Sequence, residues 1–156
     1  MIQIVPYTTQ YKDEVIHLVL DVYENELQFL GFERPDIYDI PGTYQKDTKS
    51  NFWVALHNNT LIGTVGVLGK KDGGAYLKRM IVKKEYRRQG LGVKLLEAAI
   101  HFAKKQKYCK LYAGTVPENP NAIQFYKRNG FIQTKNVPQD ITASKDSICL
   151  ELDLQK

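Results

Sequence analysis

Tyr86-Arg87-Arg88-Gln89-Gly90-Leu91-Gly92-Val93 decides how the rest of the chain is read. Ala75 to Val82 ahead of it reads as a strand. Val93 to Lys105 behind it reads as a helix, with Val93, Leu96, Ala99, Ile100 and Ala103 on one face. Two glycines sit at the junction, flanked by Lys83, Lys84, Arg87, Arg88 and Lys94. A strand that feeds a helix through a basic, glycine-bearing turn offers unpaired backbone N–H groups and a positive dipole end to an anion. The stretch predicts a phosphorylated ligand at that helix start. Gly90 and Gly92 are expected to let a phosphate approach where a Cβ would intrude.

Working outward, Lys110 to Val116 alternates as a strand, so Ala75 to Val116 is a strand–helix–strand unit. Its two strands should be parallel, with a right-handed crossover. Asn51 to His57 and Leu61 to Leu68 predict two antiparallel strands around the turn Asn58-Asn59, and Asp72-Gly73-Gly74 turns the chain into the next strand. Ile2 to Val5 predicts an edge strand stopped by Pro6. Tyr11 to Phe29 predicts a helix ended by Gly31, with Val15, Leu18, Val19, Val22, Leu27 and Leu30 as its apolar stripe. Asn119 caps a further helix whose first residue is Pro120 and which Gly130 closes. Phe131 to Thr134 and Ile148 to Leu154 are strands joined by a loop, Lys135 to Asp146. No repeat or linker interrupts the chain, and residues 1–156 read as one mixed α/β domain.

Phe32 to Ser50 reads as irregular. It mixes Phe32, Tyr38 and Tyr44 with Glu33, Asp36 and Asp39, which could receive a cationic or amine-bearing molecule. The alternative is a packed loop whose aromatics cover the core.

The chain's 156 residues suffice for one domain with a hydrophobic core. Its net charge of +5 suits an anionic ligand but lacks the basic clustering of a nucleic-acid protein. No apolar run approaches the roughly 20 residues that span a bilayer, and no signal-peptide pattern opens the chain, so a cytoplasmic location is the expectation. Cys109 and Cys149 have neither metal-binding spacing nor a CxxC arrangement; both border apolar strand-like runs and are expected to be buried free thiols. The dinucleotide fingerprint would need a third glycine at Leu95, and no P-loop is present. His17, His57 and His101 are isolated, and no metal site is expected.

Leu77-Lys78-Arg79-Met80-Ile81-Val82 running into Lys83 to Gly92, followed by Asn119-x-x-Ala122-x-x-Phe125-Tyr126-x-x-x-Gly130-Phe131, closely resembles the GNAT (GCN5-related N-acetyltransferase) superfamily. The first segment looks like that family's acyl-CoA pyrophosphate motif, and the second like its C-terminal segment. The resemblance is strong from Leu77 to Phe131 and generic from Ile2 to Leu68. It implies a GNAT-like acyl-CoA N-acyltransferase fold, with a mixed, mostly antiparallel sheet, a splayed parallel strand pair and flanking helices.

The resemblance also implies roles. Backbone groups of Met80, Ile81 and Val82 on a bulged strand would pair with the pantetheine arm of acetyl-CoA. The N–H groups of Arg87, Arg88, Gln89, Gly90, Leu91, Gly92 and Val93 would hold the pyrophosphate. Asn119 would contact pantetheine or support the helix that places Tyr126 near the thioester sulfur. A phenol is a proton donor at neutral pH, so Tyr126 suits the departing thiolate. Many relatives carry a Glu before the residue that is Leu77 here, as general base; this chain has Tyr76. Glu33, Asp36 or a water chain could substitute, or the amine could arrive already neutral; from the acidic and aromatic loop, Phe32 and Glu33 are the candidates to meet the acceptor. The implied activity is direct acetyl transfer from CoA to a primary amine, of a small molecule or a peptide. The alternative is a catalytically silent acyl-CoA sensor or interaction module. No metal, nucleic acid or membrane is implied, and a homodimer is compatible.

Overall fold

In a computed structural model, which describes residues 1–28, 34–117, 119–135 and 147–155, the strands form one seven-stranded sheet in the order β1-β2-β3-β4-β5-β7-β6. They are β1 (Ile2–Pro6), β2 (Asn51–His57), β3 (Thr60–Gly69), β4 (Gly74–Val82), β5 (Lys110–Thr115), β6 (Ile132–Thr134) and β7 (Ile148–Asp153). Every neighbouring pair is antiparallel except β4 and β5. Those two are joined by α4 (Leu91–Lys105), the crossover that a parallel pair requires. The mixed sheet with one parallel pair is the one expected from the sequence.

Each face of the sheet has its own core. On one face Leu91, Leu95, Leu96 and Ala99 of α4 pack on Ala75 and Leu77 of β4 and on Val65 and Val67 of β3. The second helix here, α5 (Pro120–Arg128), adds the buried Tyr126. On the other face α1 (Lys12–Leu20) brings Val15, Leu18 and Val19 against Val54, Leu56 and Ile81. A fully buried side chain such as Leu95 or Val15 contributes about 1.5–3 kcal/mol by leaving water.

The first helix and the stretch after it depart from expectation. The chain enters through a 3₁₀ turn at Thr9–Tyr11, is α-helical over Lys12–Leu20, and then widens into a π-helical segment at Asp21–Glu26. Short π segments are uncommon and gather at functional sites. Between Arg34 and Gln45, where irregular chain was expected, stand two short helices, α2 (Pro35–Tyr38) and α3 (Ile40–Tyr44). The signals for them were local: each has a proline in its first turn, where the missing N–H costs nothing, and Asp39 accepts the Gly42 N–H at 3.1 Å to cap α3. Ile37, Ile40 and Tyr44 are buried, so this segment closes the second core.

Candidate functional site

At the quoted stretch the chain turns through Gly90, which sits at φ 82° with nothing within 4 Å of where a Cβ would stand. The glycine is needed for the left-handed turn, and the space over it is open. The first bond of α4 runs from the Lys94 N–H to the Gly90 carbonyl at 3.2 Å. The N–H groups of Leu91, Gly92 and Val93 precede it and have no partner within the helix. Gly92 has a different reason. A Cβ there would lie 3.2 Å from the Phe125 ring and 3.8 Å from Met80 Cε. Its bareness admits Phe125 of α5, and so brings the two sequence motifs into contact. Lys84, Arg88 and Lys94 are exposed around this helix start.

Asn119 caps α5 as expected, its Oδ1 accepting the Ala122 N–H at 3.3 Å, with Pro120 in the first turn. The helix holds Tyr126 7% exposed between Phe125 and Phe131, with ring centroids 5.5 and 5.2 Å away. Burial, then the nearby Tyr23, raises the Tyr126 phenol above its ordinary value. It therefore keeps its proton through neutral and mildly alkaline pH. No hydrogen bond ties its hydroxyl among the described residues, and no sealed polar side-chain atom among them lacks a partner. The hydroxyl is thus open to something other than protein.

Between the two helices the sheet parts. Strands β4 and β5 pair from Gly74↔Lys110 to Leu77↔Ala113 and then separate, while β4 continues to Val82. On its other edge β4 carries a bulge, in which Arg79 and Met80 oppose Val65. Arg79 takes φ 49°, an uncommon conformation for a non-glycine residue. Its carbonyl accepts the Thr64 hydroxyl at 2.7 Å, which holds the bulge. Beyond the bulge the Lys83 N–H meets Ile62 O across β3 at 2.8 Å. Alternation along the strand therefore turns the backbone of Ile81 toward β3, and that of Met80 and Val82 toward the gap. The Val82 carbonyl is already taken by Arg87 Nε at 2.8 Å. The bulge and the splay are those the resemblance implied. Of the three residues it assigned to pantetheine, Met80 and Val82 face the gap.

Arg87 has a second attachment that its motif did not announce. Its guanidinium grips Glu26 of the π-helical segment at 2.6 and 2.9 Å. This side chain ties the helix-start loop to the opposite face of the sheet.

That opposite face is organised by Arg79 and Asp36. Arg79 donates to Oδ1 of Asp36 at 2.7 Å and to Oδ2 at 2.9 Å, and Oδ2 also accepts the Tyr44 hydroxyl at 2.7 Å. Burial alone would raise the Asp36 carboxyl, but the hydrogen bonds and charge of Arg79, with Tyr44 and Lys78, outweigh it and hold the carboxyl below its ordinary value. Tyr23 completes the cluster, with the guanidinium carbons of Arg34 and Arg79 lying 4.9 and 5.3 Å from its ring centroid. A carboxylate so engaged and so acidic is no proton acceptor, which corrects the expectation that Asp36 could replace the missing base. Asp39 is spent on its cap. Phe32 and Glu33 lie outside the described residues. Tyr76 is buried against Tyr112, their ring centroids 5.8 Å apart. Tyr44 and Asp36 were singled out from sequence, but Arg79, Tyr23 and Lys78 were given no role beside them, because no local pattern joins them.

Of the thiols, Cys149 is buried and raised to about 11 by burial and Glu151, while Cys109 is only half-buried and donates to Gly73 O at 3.1 Å. Neither is a ready nucleophile. Among the described residues no cluster of His, Cys, Asp or Glu could hold a metal ion, and no helix is long and apolar enough to cross a membrane.

A parallel pair that splays beside a glycine-started helix is the architecture of the acyl-CoA N-acyltransferases. The sequence model of the acetyltransferase (GNAT) family matches residues 13–131, and the chain belongs to that family. Rat (Rattus norvegicus) N-acetyltransferase 8 is 32% identical over 111 residues, which cover 68% of this chain and 50% of the relative. The chain thus spans about half the length of the curated relatives it matches. A GNAT-family acetyltransferase from Staphylococcus aureus Mu50 superposes with a TM-score of 0.89 at 28% identity, over 99% of both chains. The fold is shared with the PaiA N-acetyltransferase of Thermoplasma acidophilum, solved in complex with coenzyme A, at a TM-score of 0.79 and 18% identity, over 98% of this chain and 99% of that one.

Proposed function

We propose that this protein is an acetyl-CoA-dependent N-acetyltransferase that passes the acetyl group directly to a primary amine. The observation that carries the reading is the end of β4–β5 pairing at Leu77↔Ala113, directly beside the open start of α4. A pantetheine arm fits that gap, against the inward-facing backbone of Met80 and Val82. Its pyrophosphate then reaches the N–H groups between Arg87 and Val93, and exposed lysines and Arg88 stand ready for the remaining phosphate.

The chemistry follows from this placement. The neutral amine attacks the thioester carbonyl, forming a C–N bond. An N–H of the bulged strand, Met80 or Val82, donates to the developing oxyanion. As the C–S bond breaks, the Tyr126 hydroxyl gives its proton to the sulfur and recovers one from water. The amine nitrogen sheds its extra proton to solvent. The transfer as written needs no metal, nucleic acid or membrane; a cytoplasmic location and a homodimer belong to the same proposal.

The test is thiol release from acetyl-CoA with an amine panel. Tyr126→Phe should lower turnover about a hundredfold while leaving acetyl-CoA affinity near the wild-type value. Unchanged turnover at saturating substrate would sink the acid role. A second reading, a silent acyl-CoA sensor, draws on Tyr76 and on the full engagement of Asp36, which leave no carboxylate base identified. It predicts acetyl-CoA binding without thiol release for any amine.

A further inference from the structure

Of the acidic residues that suggested a cationic acceptor, the two among the described residues are already engaged. Asp36 has both oxygens filled by Arg79 and Tyr44, and Asp39 caps α3. Among the described residues of this face, Lys78 is a charged side chain with no hydrogen bond or ion pair. Lys78 stands one residue beyond the last β4–β5 pair, where the gap opens. It alternates with Tyr76 on the face covered by α2 and α3. Its partner across β3 is Gly66, where a Cβ would lie 2.8 Å from the Phe52 ring and 3.0 Å from that of Tyr44.

Lys78 is half-buried and makes no hydrogen bond or ion pair among the described residues. The charges that reach it are Arg79, Asp36 and Lys70, two of the three positive. Burial first, then Arg79, lowers its ammonium below the ordinary lysine value, and the opposing pull of Asp36 does not make up the difference. Asp36 could have been its counter-ion but is turned to Arg79. A half-buried cation whose nearby carboxylate is committed to another cation is costly unless a ligand brings an anion of its own. One unsatisfied charge calls for one negative charge, and its place calls for a group carried on the molecule that meets the acetyl carbon.

We infer that the acceptor amine carries a carboxylate, and that Lys78, at the mouth of the β4–β5 gap, is the residue that receives it. The acceptor is then an amino acid or a close derivative, its amine directed into the gap and its carboxylate held on the face of α2 and α3. This inference rests on the acetyl-transfer reading for its geometry, and its test is kept separate.

The probes are the twenty N-acetyl amino acids and their neutral carboxamides, titrated by calorimetry into the CoA-saturated protein. Each pair differs only in the negative charge. The expected result is at least one acid bound about tenfold or more tightly than its carboxamide. Lys78→Met should bring that ratio close to unity, and Lys78→Arg should keep most of it, with thermal melts confirming that both variants fold. Equal or tighter binding of the carboxamides, absence of binding by every acid, or an undiminished ratio in Lys78→Met would each overturn the inference. A Lys78→Met enzyme whose turnover falls equally for amino acids and uncharged amines would instead give Lys78 a part in the transfer itself and would also overturn it. Thiol release is scored separately: acid-selective binding without release defeats the transfer reading and leaves the carboxylate site standing.

Discussion

The two faces of the sheet meet the same gap with different materials. On the side of α4 and α5 the proposed site is backbone: the open turn at Gly90, the N–H groups after it, and the Met80 and Val82 peptides. On the side of α1 to α3 it is side chains, held by Arg79 on Asp36 and Arg87 on Glu26. Backbone recognition depends on glycines, a cap and a helix start, which lie close together in sequence. Side-chain networks join residues far apart. The Arg79–Asp36 pair spans 43 positions and the Arg87–Glu26 pair spans 61.

Breaking the side-chain half should have the largest effect. Asp36→Ala leaves Arg79 without its partner at a strained bulge, where the side chains of the pair are 16% and 15% exposed. A loss of about 3 kcal/mol in denaturant unfolding is expected. CoA affinity, measured by calorimetry on the folded variant, should change much less. A variant that unfolds easily and also loses CoA would erase the distinction between the faces. Asp36 also gives the pair a pH signature. Its carboxyl is lowered in the folded protein, so its stabilisation is full above the unfolded value of about 4 and is lost as pH falls through the lower folded value. The stability gap between wild type and Asp36→Asn should therefore narrow below about pH 4.

Gly90→Val attacks the backbone half. Nothing crowds the site, so the cost is the left-handed conformation alone, about 1–2 kcal/mol. Here CoA affinity should fall along with stability, the reverse of the pattern for Asp36. Asn119→Ala removes one cap bond and should cost about 1 kcal/mol, read as a lower melting temperature. Arg87→Met is expected to be mildest. Its ion pair is 39% and 25% exposed, and pairs of that kind contribute about 0.5 kcal/mol. A loss as large as that of Asp36→Ala would mean that Arg87 is a structural pillar on a par with Arg79.

The same contrast explains what could be read in advance. The turn from Tyr86 to Val93, the cap at Asn119, the antiparallel strands around Asn58-Asn59 and the parallel pair follow from spacing, glycines and alternation, each a local constraint. The π-helical segment at Asp21–Glu26 carries no such mark, because Val15, Leu18, Val19 and Val22 fit an ordinary helix equally well. The helices at Pro35–Tyr38 and Ile40–Tyr44 were legible in their first-turn prolines but are too short to show periodicity. The engagement of Asp36 could not be read at all. Its charge suggested a receiver for a cation, and only the fold shows that Arg79 already fills that place.

The parallel junction is four residue pairs long. The sheet is two antiparallel ribbons, β1 to β4 and β5 to β7, joined along a short parallel seam and connected by α4. On the proposed reading, a pantetheine arm in the gap lengthens that seam with its own amides. Loading the donor would then stabilise the folded molecule before any acceptor arrives, by about 2.7 kcal/mol at a hundred times the dissociation constant. Hydrogen exchange would register it as slowed exchange at Met80 and Val82, the residues turned toward the gap. The co-substrate would be, for part of each cycle, a structural member of the sheet.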